Sequence, residues 1–340
     1  MPSLPPAGLV LEHDPGRFLV GSGPMDVAAR RDPTRTAFYL PDFYLDDPCP
    51  WHHPATVDDL DHDALVARIG EAHPPAVGWV NPARNVYARA FATIQQAIAH
   101  DGLTKAVPAV FTRGTTDATP DQFVRGVLRH LLDGTGSRSR YGWWRNGSGM
   151  LGASPELLFR LLPGRVETQA IAGTAPLAEA DRLLHDPKEL AEHQSVVDDI
   201  RTALAPFGRV DVGPRELLAL PELAHLRTDI ALRPTGSLSF ETLVAALHPT
   251  AALGVAPRTF GLDLLRRLDA DGARGRFGAP FGVALPDGTG VCVVAIRNVQ
   301  WQGGALVLGA GGGVLAESRL DREWNEITLK RGAVCRMLGL

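Results

Sequence analysis

Apolar residues recur at helical spacing between residues 186 and 206. The stripe consists of Val196, Ile200, Ala203 and Leu204. Such a stripe normally faces the protein core. Continued backwards in steps of three and four residues, it reaches Glu192 and Glu189. Because burial of an unpaired carboxylate is unfavourable, the pattern predicts that a positive group meets these two side chains.

The remaining patterns predict both helices and strands. Helical spacing with start and stop signals is found in residues 83–103, 119–134, 243–249, 257–270 and about 322–338. Strand patterns are found in residues 105–114, 140–173 (with Gly-rich turns), 280–286, 290–301 and 304–311. Residues 1–80 predict only short strands and loops. Since strands mainly follow strands, we expect an α+β fold with large, mainly antiparallel sheets covered by helices.

The composition is that of an ordinary globular protein. Of 340 residues, 45% are hydrophobic and 21% are charged, which is enough for a sizeable core. The net charge of -4 gives no electrostatic reason to expect binding to nucleic acid or to an anionic membrane. Three scattered cysteines suit neither a disulfide framework nor a zinc motif. Without a secretory signal or a run of about 18 apolar residues, we expect a soluble cytoplasmic protein.

The last predicted helix carries a second pair of glutamates on one face. Glu323, Glu326 and Lys330 stand at positions i, i+3 and i+7. If the two helices meet, four carboxylates converge and repel one another unless a cation lies between them. Hard oxygen ligands favour Mg²⁺, which keeps several waters and often bridges to an anionic substrate. The alternative is that each pair lies on a solvated helix face, balanced by Lys188 or Lys330.

Weaker signals accompany the glutamates. Glu156 lies between a turn and an apolar run, where partial burial would raise its pKa and suit a general acid. Arg297 ends an apolar strand, where it either caps the surface or clamps a carboxylate. Residues 306–318 predict a strand, a glycine loop and a helix; the loop allows close approach to an anion but lacks dinucleotide-binding spacing. One Glu-x-x-His motif, Glu222 to His225, is too little for a di-iron bundle, which needs two on long helices.

Taken together, these segments resemble the chorismate-utilising enzymes. That family includes isochorismate synthase, salicylate synthase, the large subunit of anthranilate synthase and aminodeoxychorismate synthase. The matching pieces occur in the family's order and are GASPELLFR, AIAGT, KELAEH, AHL, LHPTAALGVAPR, VVAIR, GAGGGVLAES and REWNEITLK. The resemblance covers about residues 85–340, which we expect to be the chorismate-binding catalytic region. Residues 1–84 are expected to form the N-terminal part of the same fold.

The resemblance implies a Mg²⁺ site built from the two glutamate pairs. By family analogy, Glu192 and Glu326 are direct ligands of the ion, and Glu189 and Glu323 hold waters on it. The ion in turn binds the ring carboxylate of chorismate. This assignment would account for carboxylates on an otherwise apolar stripe.

The resemblance also implies how the substrate is held. His225 matches the family histidine near the ring carboxylate, and Arg297 matches the clamp on the enolpyruvyl carboxylate. Further substrate contacts implied by the resemblance are the backbone N–H groups around Gly311 and Gly313, Lys330 and the pocket-wall residue Thr174.

Individual positions resemble the isochorismate synthase branch. Lys105 aligns with a lysine that serves as general base toward water at C2, while Glu156 would protonate the departing C4 hydroxyl. Ala172 stands where aminodeoxychorismate synthases carry a nucleophilic lysine. Ala252 and Phe277 replace the threonine and tyrosine typical of members that eliminate pyruvate. We expect no fused glutaminase, since no cysteine of this sequence lies in a nucleophile-elbow context. We therefore favour isochorismate as the product.

Among the departures from the family pattern, which include GTA for GTR and GGG for GAG, two leave alternatives open. Val255 replaces a glycine, where it could crowd the substrate or oppose a left-handed backbone, and Ile327 replaces a threonine. The alternatives are a salicylate synthase, an aminating enzyme with a separate amidotransferase, and a chorismate-binding protein without catalytic activity. We expect chorismate as the partner, neither nucleic acid nor membrane, and a monomer or homodimer.

Overall fold

The computed structural model describes residues 4–134, 139–220, 222–269, 272 and 274–340. The α-helices are α1 (His62–Ile69), α2 (Arg84–His100), α3 (Pro120–Asp133), α4 (Ala180–Leu183), α5 (Pro187–Leu204), α6 (Phe240–Leu247), α7 (Asp263–Leu268) and α8 (Leu320–Leu338). Short 3₁₀ turns are Leu177–Glu179, Ala205–Phe207 and Arg258–Phe260.

Strands follow one another through most of the chain. They are β1 (Gly8–Asp14), β2 (Arg17–Ala28), β3 (Ala37–Tyr39), β4 (Trp51–Asp61), β5 (Gly78–Val80), β6 (Lys105–Ala106), β7 (Ala109–Thr115), β8 (Ser139–Arg145), β9 (Ser148–Ser154), β10 (Leu157–Leu162), β11 (Arg165–Pro176), β12 (Gly208–Ala219), β13 (Leu223–Pro234), β14 (Val255–Ala256), β15 (Pro280–Ala284), β16 (Gly290–Val294), β17 (Asn298–Gln302) and β18 (Ala305–Gly311).

Within the described residues, sixteen strands form one sheet. Its order is β12-β13-β11-β10-β16-β15-β3-β4-β2-β1-β8-β9-β17-β18-β7-β5, and β14 pairs with β6 in a separate ribbon. Neighbouring strands run antiparallel, for example β11 with β13 and β18 with β7. The α+β prediction is confirmed. The prediction of only short strands before residue 80 is wrong, because β2 has 12 residues and β4 has 11, and both lie inside this sheet.

Helices cover the sheet in two places. The predicted stripe of α5 is buried against strands and against α6, with Val196, Ile200 and Leu204 in one core cluster. A second cluster joins α1, α3 and the end of α8 to strands β9 and β17. Helix α3 begins as predicted, because Thr119 and Gln122 form a reciprocal capping box. Sheet and helices therefore meet along faces that the periodicity had indicated.

Four predicted elements differ in the structure. Residues 105–114 divide into β6 and β7 at Val107 and Pro108; proline lacks the N–H that a strand ladder needs. The run 290–301 breaks between β16 and β17, where Arg297 has a φ of 55°. No helix follows the glycine loop directly, since α8 begins only at Leu320. The helical pattern of 257–270 gives only a 3₁₀ turn and α7, separated by Gly261 at a φ of 76°.

None of the helices in the described ranges is both long enough and apolar enough to cross a membrane.

Candidate active site

The two glutamate-bearing helices meet the glycine loop after β18. A Cβ atom on Gly312 would lie 3.6 Å from Glu323 Oε2 and 3.8 Å from Glu326 Oε1. A Cβ on Gly313 would overlap the carboxylate of Glu192 and approach Lys105 Cε to 2.6 Å. The absence of a side chain at Gly313 therefore lets Glu192 of α5 and Lys105 approach the backbone of the loop, while Glu323 and Glu326 of α8 lie next to Gly312.

Glu189 and Glu323 share one lysine. Lys188 Nζ lies 2.9 Å from Glu323 Oε1 and 3.4 Å from Glu189 Oε1. Glu189 Oε2 accepts from the backbone N–H of Thr174 at 3.1 Å, and Arg322 Nη2 reaches Glu189 Oε1 at 3.1 Å. The prediction that positive groups meet the carboxylates is confirmed. Glu189 and Glu323 are buried, so the alternative of solvated helix faces does not hold for them.

The other two glutamates each meet a lysine of their own. Lys105 Nζ lies 3.0 Å from Glu192 Oε1, without the geometry of a hydrogen bond. Lys330 Nζ lies 2.6 Å from Glu326 Oε1 and donates to the carbonyl of Gly311 at 3.2 Å. Each of the four carboxylates in the cluster is therefore in contact with a lysine.

Burial and these lysines set the ionisation of the cluster. Burial raises the pKa of Glu189 and that of Glu323, against the opposing charge of Lys188. Burial also acts on Glu192, but the charges of Lys105 and Lys188 outweigh it and lower the pKa of Glu192. Burial disfavours the charged form of Lys188, yet the neighbouring glutamates prevail and raise its pKa. The cluster therefore holds both carboxylate and ammonium charge.

The donor set fits a hard divalent cation. All four side chains offer oxygen, and Glu323 Oε2 is fully buried without a hydrogen-bond partner, facing Gly312 together with Glu326. A buried carboxylate oxygen without a partner is unfavourable unless a cation or a metal-held water satisfies it. In the part of the chain that the structure describes, no three acidic, histidine or cysteine side chains are grouped as a ready-made metal centre. A metal would therefore have to draw these carboxylates together.

His225 and Arg297 lie in contact at another wall of the site. Thr174 on β11 and His225 on β13 are register partners. His225 Nδ1 lies 3.0 Å from the carbonyl of Gly173 and 3.2 Å from Thr174 Oγ1, and its Nε2 lies 2.6 Å from Arg297 Nη2. If Nδ1–H donates to that carbonyl, Nε2 is left to accept from the guanidinium, which fixes the tautomer. The left-handed backbone of Arg297 breaks the strand and turns its side chain into this site.

Glu156 is buried between β9 and β10. Burial raises its pKa to about 7, and the hydrogen bond from Thr250 Oγ1 to Oε1, 3.4 Å long, together with the charges of Lys105 and Arg297, only partly offsets the effect. A carboxylic acid with a pKa near neutrality can donate a proton and be reprotonated. The geometry thus agrees with the expected environment for this residue.

One cavity joins most of the predicted site residues. Its polar walls are Glu156, Thr174, Glu192, His225, Arg297, Lys330 and Gly309–Gly313. Its apolar walls include Ile171, Ala172, Ala252, Leu253, Phe277 and Ile296. Lys105, Glu189, Glu323 and Glu326 do not line it; Lys105 lies behind Gly313. The structure therefore separates this cavity from a carboxylate cluster that touches it through Glu192.

The two departures from the family pattern lie outside the cavity wall. Val255 is in extended β14, opposite Ala106, and packs in a core cluster with Ile94 and Leu265. Ile327 is buried beside Tyr87. Neither side chain lines the cavity, and Val255 has no left-handed backbone. The two substitutions therefore do not obstruct the site.

Sequence reasoning missed an ion pair that supports the site. Arg258 Nε lies 2.6 Å from Asp199 Oδ1, and Arg258 Nη2 lies 2.9 Å from Asp199 Oδ2. The same carboxylate accepts from the backbone N–H of Ala251 at 3.0 Å. No local pattern signals the pair, because its members are 59 residues apart.

Comparison with known proteins identifies the family. The model of the chorismate binding enzyme family matches residues 67–336. A Pseudomonas aeruginosa protein named salicylate biosynthesis isochorismate synthase is 36% identical over 220 residues, which is 61% of this chain and 46% of that protein. A Mycobacterium tuberculosis protein, provisionally named isochorismate synthase MenF, is 32% identical over 300 residues, or 80% of this chain and 76% of that protein. The chain thus spans less than half of one relative and about three quarters of the other.

The fold agrees with the family match. The structure of MenF, the menaquinone-specific isochorismate synthase of Escherichia coli, superposes with a TM-score of 0.80 at 20% identity, covering 99% of this chain and 89% of the other. The chain belongs to the chorismate-binding enzyme family.

Proposed function

We propose that this member of the chorismate-binding family converts chorismate to isochorismate in a Mg²⁺-dependent reaction. The observation that carries the proposal is the cavity itself. It places Glu156, a buried acid whose pKa is about 7, in one enclosure with Arg297 and Glu192. Chorismate carries two carboxylates and a hydroxyl that must leave, so it needs cationic recognition and a proton donor together.

The substrate would be oriented by its two carboxylates. The guanidinium of Arg297 can bind the enolpyruvyl carboxylate through two parallel hydrogen bonds, with backbone N–H groups around Gly311 and Gly313 beside it. His225 supports this arrangement, because its Nε2 contacts Arg297 Nη2 at 2.6 Å. Thr174 and Lys330 complete the polar wall.

The metal would be held at the carboxylate cluster. Glu192 and Glu326 are the proposed direct ligands, and Glu189 and Glu323 the proposed partners of metal-held waters. When bound, Mg²⁺ supplies positive charge that neutralises and orients the ring carboxylate. The buried, unpartnered Oε2 of Glu323 supports the assignment.

In the chemical step a hydroxyl group is added at C2 of the ring and the hydroxyl group at C4 is lost. Water attacks C2 and the C2–O bond forms, while the ring double bonds shift and the C4–O bond breaks. Lys105 takes a proton from the attacking water, and Glu156 gives a proton to the departing hydroxyl, which leaves as water. Lys105 acts in this step as a free amine.

Two apolar residues of the cavity wall favour a product that keeps the enolpyruvyl group. Ala252 and Phe277 line the cavity and offer no hydroxyl group that could assist elimination. This supports isochorismate over salicylate as the final product. Since Val255 and Ile327 lie outside the cavity wall, the alternative of a protein that binds chorismate without turnover loses its original motivation.

A product assay tests the proposal. Purified protein is incubated with chorismate, with Mg²⁺ or with a chelator, and products are separated by chromatography while pyruvate is measured. We expect isochorismate without pyruvate, only with Mg²⁺. Salicylate with pyruvate would move the chain to the eliminating branch, an amino product formed only with ammonium would make it an aminating enzyme, and no product would favour a binding protein.

A further inference from the structure

Lys188 lies between the two glutamate-bearing helices. Its Nζ contacts Glu323 of α8 at 2.9 Å and Glu189 of α5 at 3.4 Å. Its side chain is only 9% exposed. Among the lysines that the structure describes, Lys105 contacts Glu192 and Lys330 contacts Glu326, whereas Lys188 bridges glutamates of both helices. Lys188 thus bridges α5 and α8, beside Arg322 of α8, whose Nη2 lies 3.1 Å from Glu189 Oε1.

Helix stability does not explain a cation at this position. Lys188 is the second residue of α5, directly after Pro187. The positive end of the helix dipole disfavours a cation in the first turn. The helix end is already capped by Asp186, whose carboxylate accepts from the backbone N–H groups of Lys188 and Glu189. The buried carboxylates therefore account for the position of the ammonium group.

The charges in the cluster bear on metal binding. Four glutamates face three lysines, which leaves one net negative charge among these seven side chains, and Arg322 also reaches Glu189 at 3.1 Å. A divalent cation is attracted weakly to such a set, and any ammonium group that stays close opposes it. Strong metal binding therefore requires at least one lysine to withdraw.

Lys188 is the lysine placed to withdraw. Glu323 Oε1 also accepts from Ser318 Oγ at 2.8 Å, so that carboxylate keeps a partner when the lysine leaves. Lys105, by contrast, is enclosed behind Gly313, and Lys330 is also bonded to the carbonyl of Gly311.

We propose that Lys188 is a tethered counter-cation of the metal site. It neutralises Glu189 and Glu323 in the metal-free protein, competes with the divalent ion and so sets the metal affinity. The inference rests on the proposed function, because it concerns the same carboxylates.

The test is a calorimetric titration of the Lys188→Met and Lys188→Gln variants with Mn²⁺ and with Mg²⁺, in the absence of chorismate. Both changes remove the charge and keep most of the stem. We expect Mn²⁺ to bind on the order of tenfold more tightly than to the unaltered protein. The thermal midpoint of the metal-free variants should fall, because Glu323 loses its counter-charge and Glu189 keeps only Arg322. Added metal should restore most of the loss.

Two further variants separate this role from general effects. Lys188→Arg keeps the charge and should keep the metal affinity near that of the unaltered protein. Arg201→Met removes one charge from the same helix, but Arg201 is 58% exposed and pairs with Asp198. It should leave both metal affinity and the metal-dependent thermal shift unchanged.

The outcomes distinguish this inference from the proposed function. The counter-cation role alone is overturned if both neutral variants bind metal no more tightly than the unaltered protein. It is also overturned if they fail to fold both with and without metal. Neutral variants that fold only with metal support it. Chorismate turnover by the unaltered protein in chelator overturns the metal dependence of the proposed function. Failure of the unaltered protein and of every variant to bind metal overturns both proposals.

Discussion

Asp199 and Arg258 form a two-point ion pair that ties helix α5 to the wall of the cavity. Both guanidinium contacts are under 3.0 Å, at 2.6 and 2.9 Å. Arg258 also donates to the carbonyl of Leu247 at 2.9 Å. The segment between these contacts carries Thr250, the hydrogen-bond partner of Glu156, and the strand β14 that pairs with Lys105. One pair of side chains thus links the glutamate helix to the supports of both proposed proton-transfer groups.

Removal of this clamp should affect activity as well as stability. In Arg258→Met, Asp199 keeps its charge but loses its main partner, at a cost of about 2 kcal/mol in the free energy of unfolding. We expect kcat to fall more than KM rises, because Glu156 and Lys105 lose their alignment. Denaturant unfolding and steady-state kinetics measure the two effects. The surface pair variant Arg201→Met should change stability by less than about 0.5 kcal/mol; equal losses in both variants would contradict the clamp.

Glu156 should behave as a proton donor. Glu156→Gln keeps size and shape but cannot release a proton, so we expect kcat to fall about 10²- to 10⁴-fold with chorismate binding retained. In the unaltered protein the acid form is lost as pH rises through its pKa of about 7, so kcat should decline above neutrality. A pH–rate profile from 6 to 9 measures this. A profile that is the same in both proteins would remove Glu156 from the mechanism.

Lys105 should be needed for the chemical step rather than for binding. Lys105→Ala removes the proposed base, and we expect loss of C2 hydration with chorismate affinity changed by only a few fold. The same change leaves Glu192 without its neighbour at 3.0 Å, so stability has to be measured in parallel. Rapid-quench product analysis and ligand titration check the two parts. Normal hydration by a folded variant would exclude the base role.

Two adjacent glycines provide a matched steric test. A Cβ on Gly313 would overlap Glu192 and crowd Lys105 Cε, whereas a Cβ on Gly312 would meet nothing closer than 3.6 Å. Neither glycine has a left-handed backbone, so alanine can adopt the backbone conformation at both positions and the two variants differ only in side-chain contacts. We expect Gly313→Ala to lose most of its turnover and Gly312→Ala to keep it. Initial rates at saturating chorismate compare them; the reverse order would refute the packing of the glycine loop against α5.

His248 should make stability depend on acid pH. It is buried and its Nε2 lies 2.7 Å from the carbonyl of Phe43, and burial lowers its pKa to about 4. Because the unfolded chain binds the proton near pH 6.5, the folded state loses stability as pH falls from about 6.5 to 4. His248→Gln has no such proton to bind, so its thermal midpoint should fall less over this range. Parallel decline of both midpoints would show that other groups carry the effect.

Local patterns determined much of the secondary structure. The start signal at Thr119 and Pro120 placed the beginning of α3, and the apolar stripe through Val196 and Ile200 placed the buried face of α5. Each of these signals spans only a few neighbouring residues, so it can be recognised from the sequence without knowledge of the tertiary structure. The succession of strands likewise indicated the α+β class, and the ordered motifs indicated the family. The same reasoning failed for the early strands, since β2 and β4 are stabilised by neighbours in a large sheet rather than by strong alternation of their own.

The tertiary structure decided which of the candidate residues act together. Glu189 and Glu323 are 134 positions apart, and only the packing of α5 and α8 brings both to Lys188. The contact of Arg297 with His225 requires a left-handed break in a run that reads as continuous strand. Burial, which gives Glu156 a pKa of about 7, depends on segments from across the chain. Sequence periodicity reports which face of an element is buried, whereas the distances between charges on different elements follow from how the sheet and helices pack.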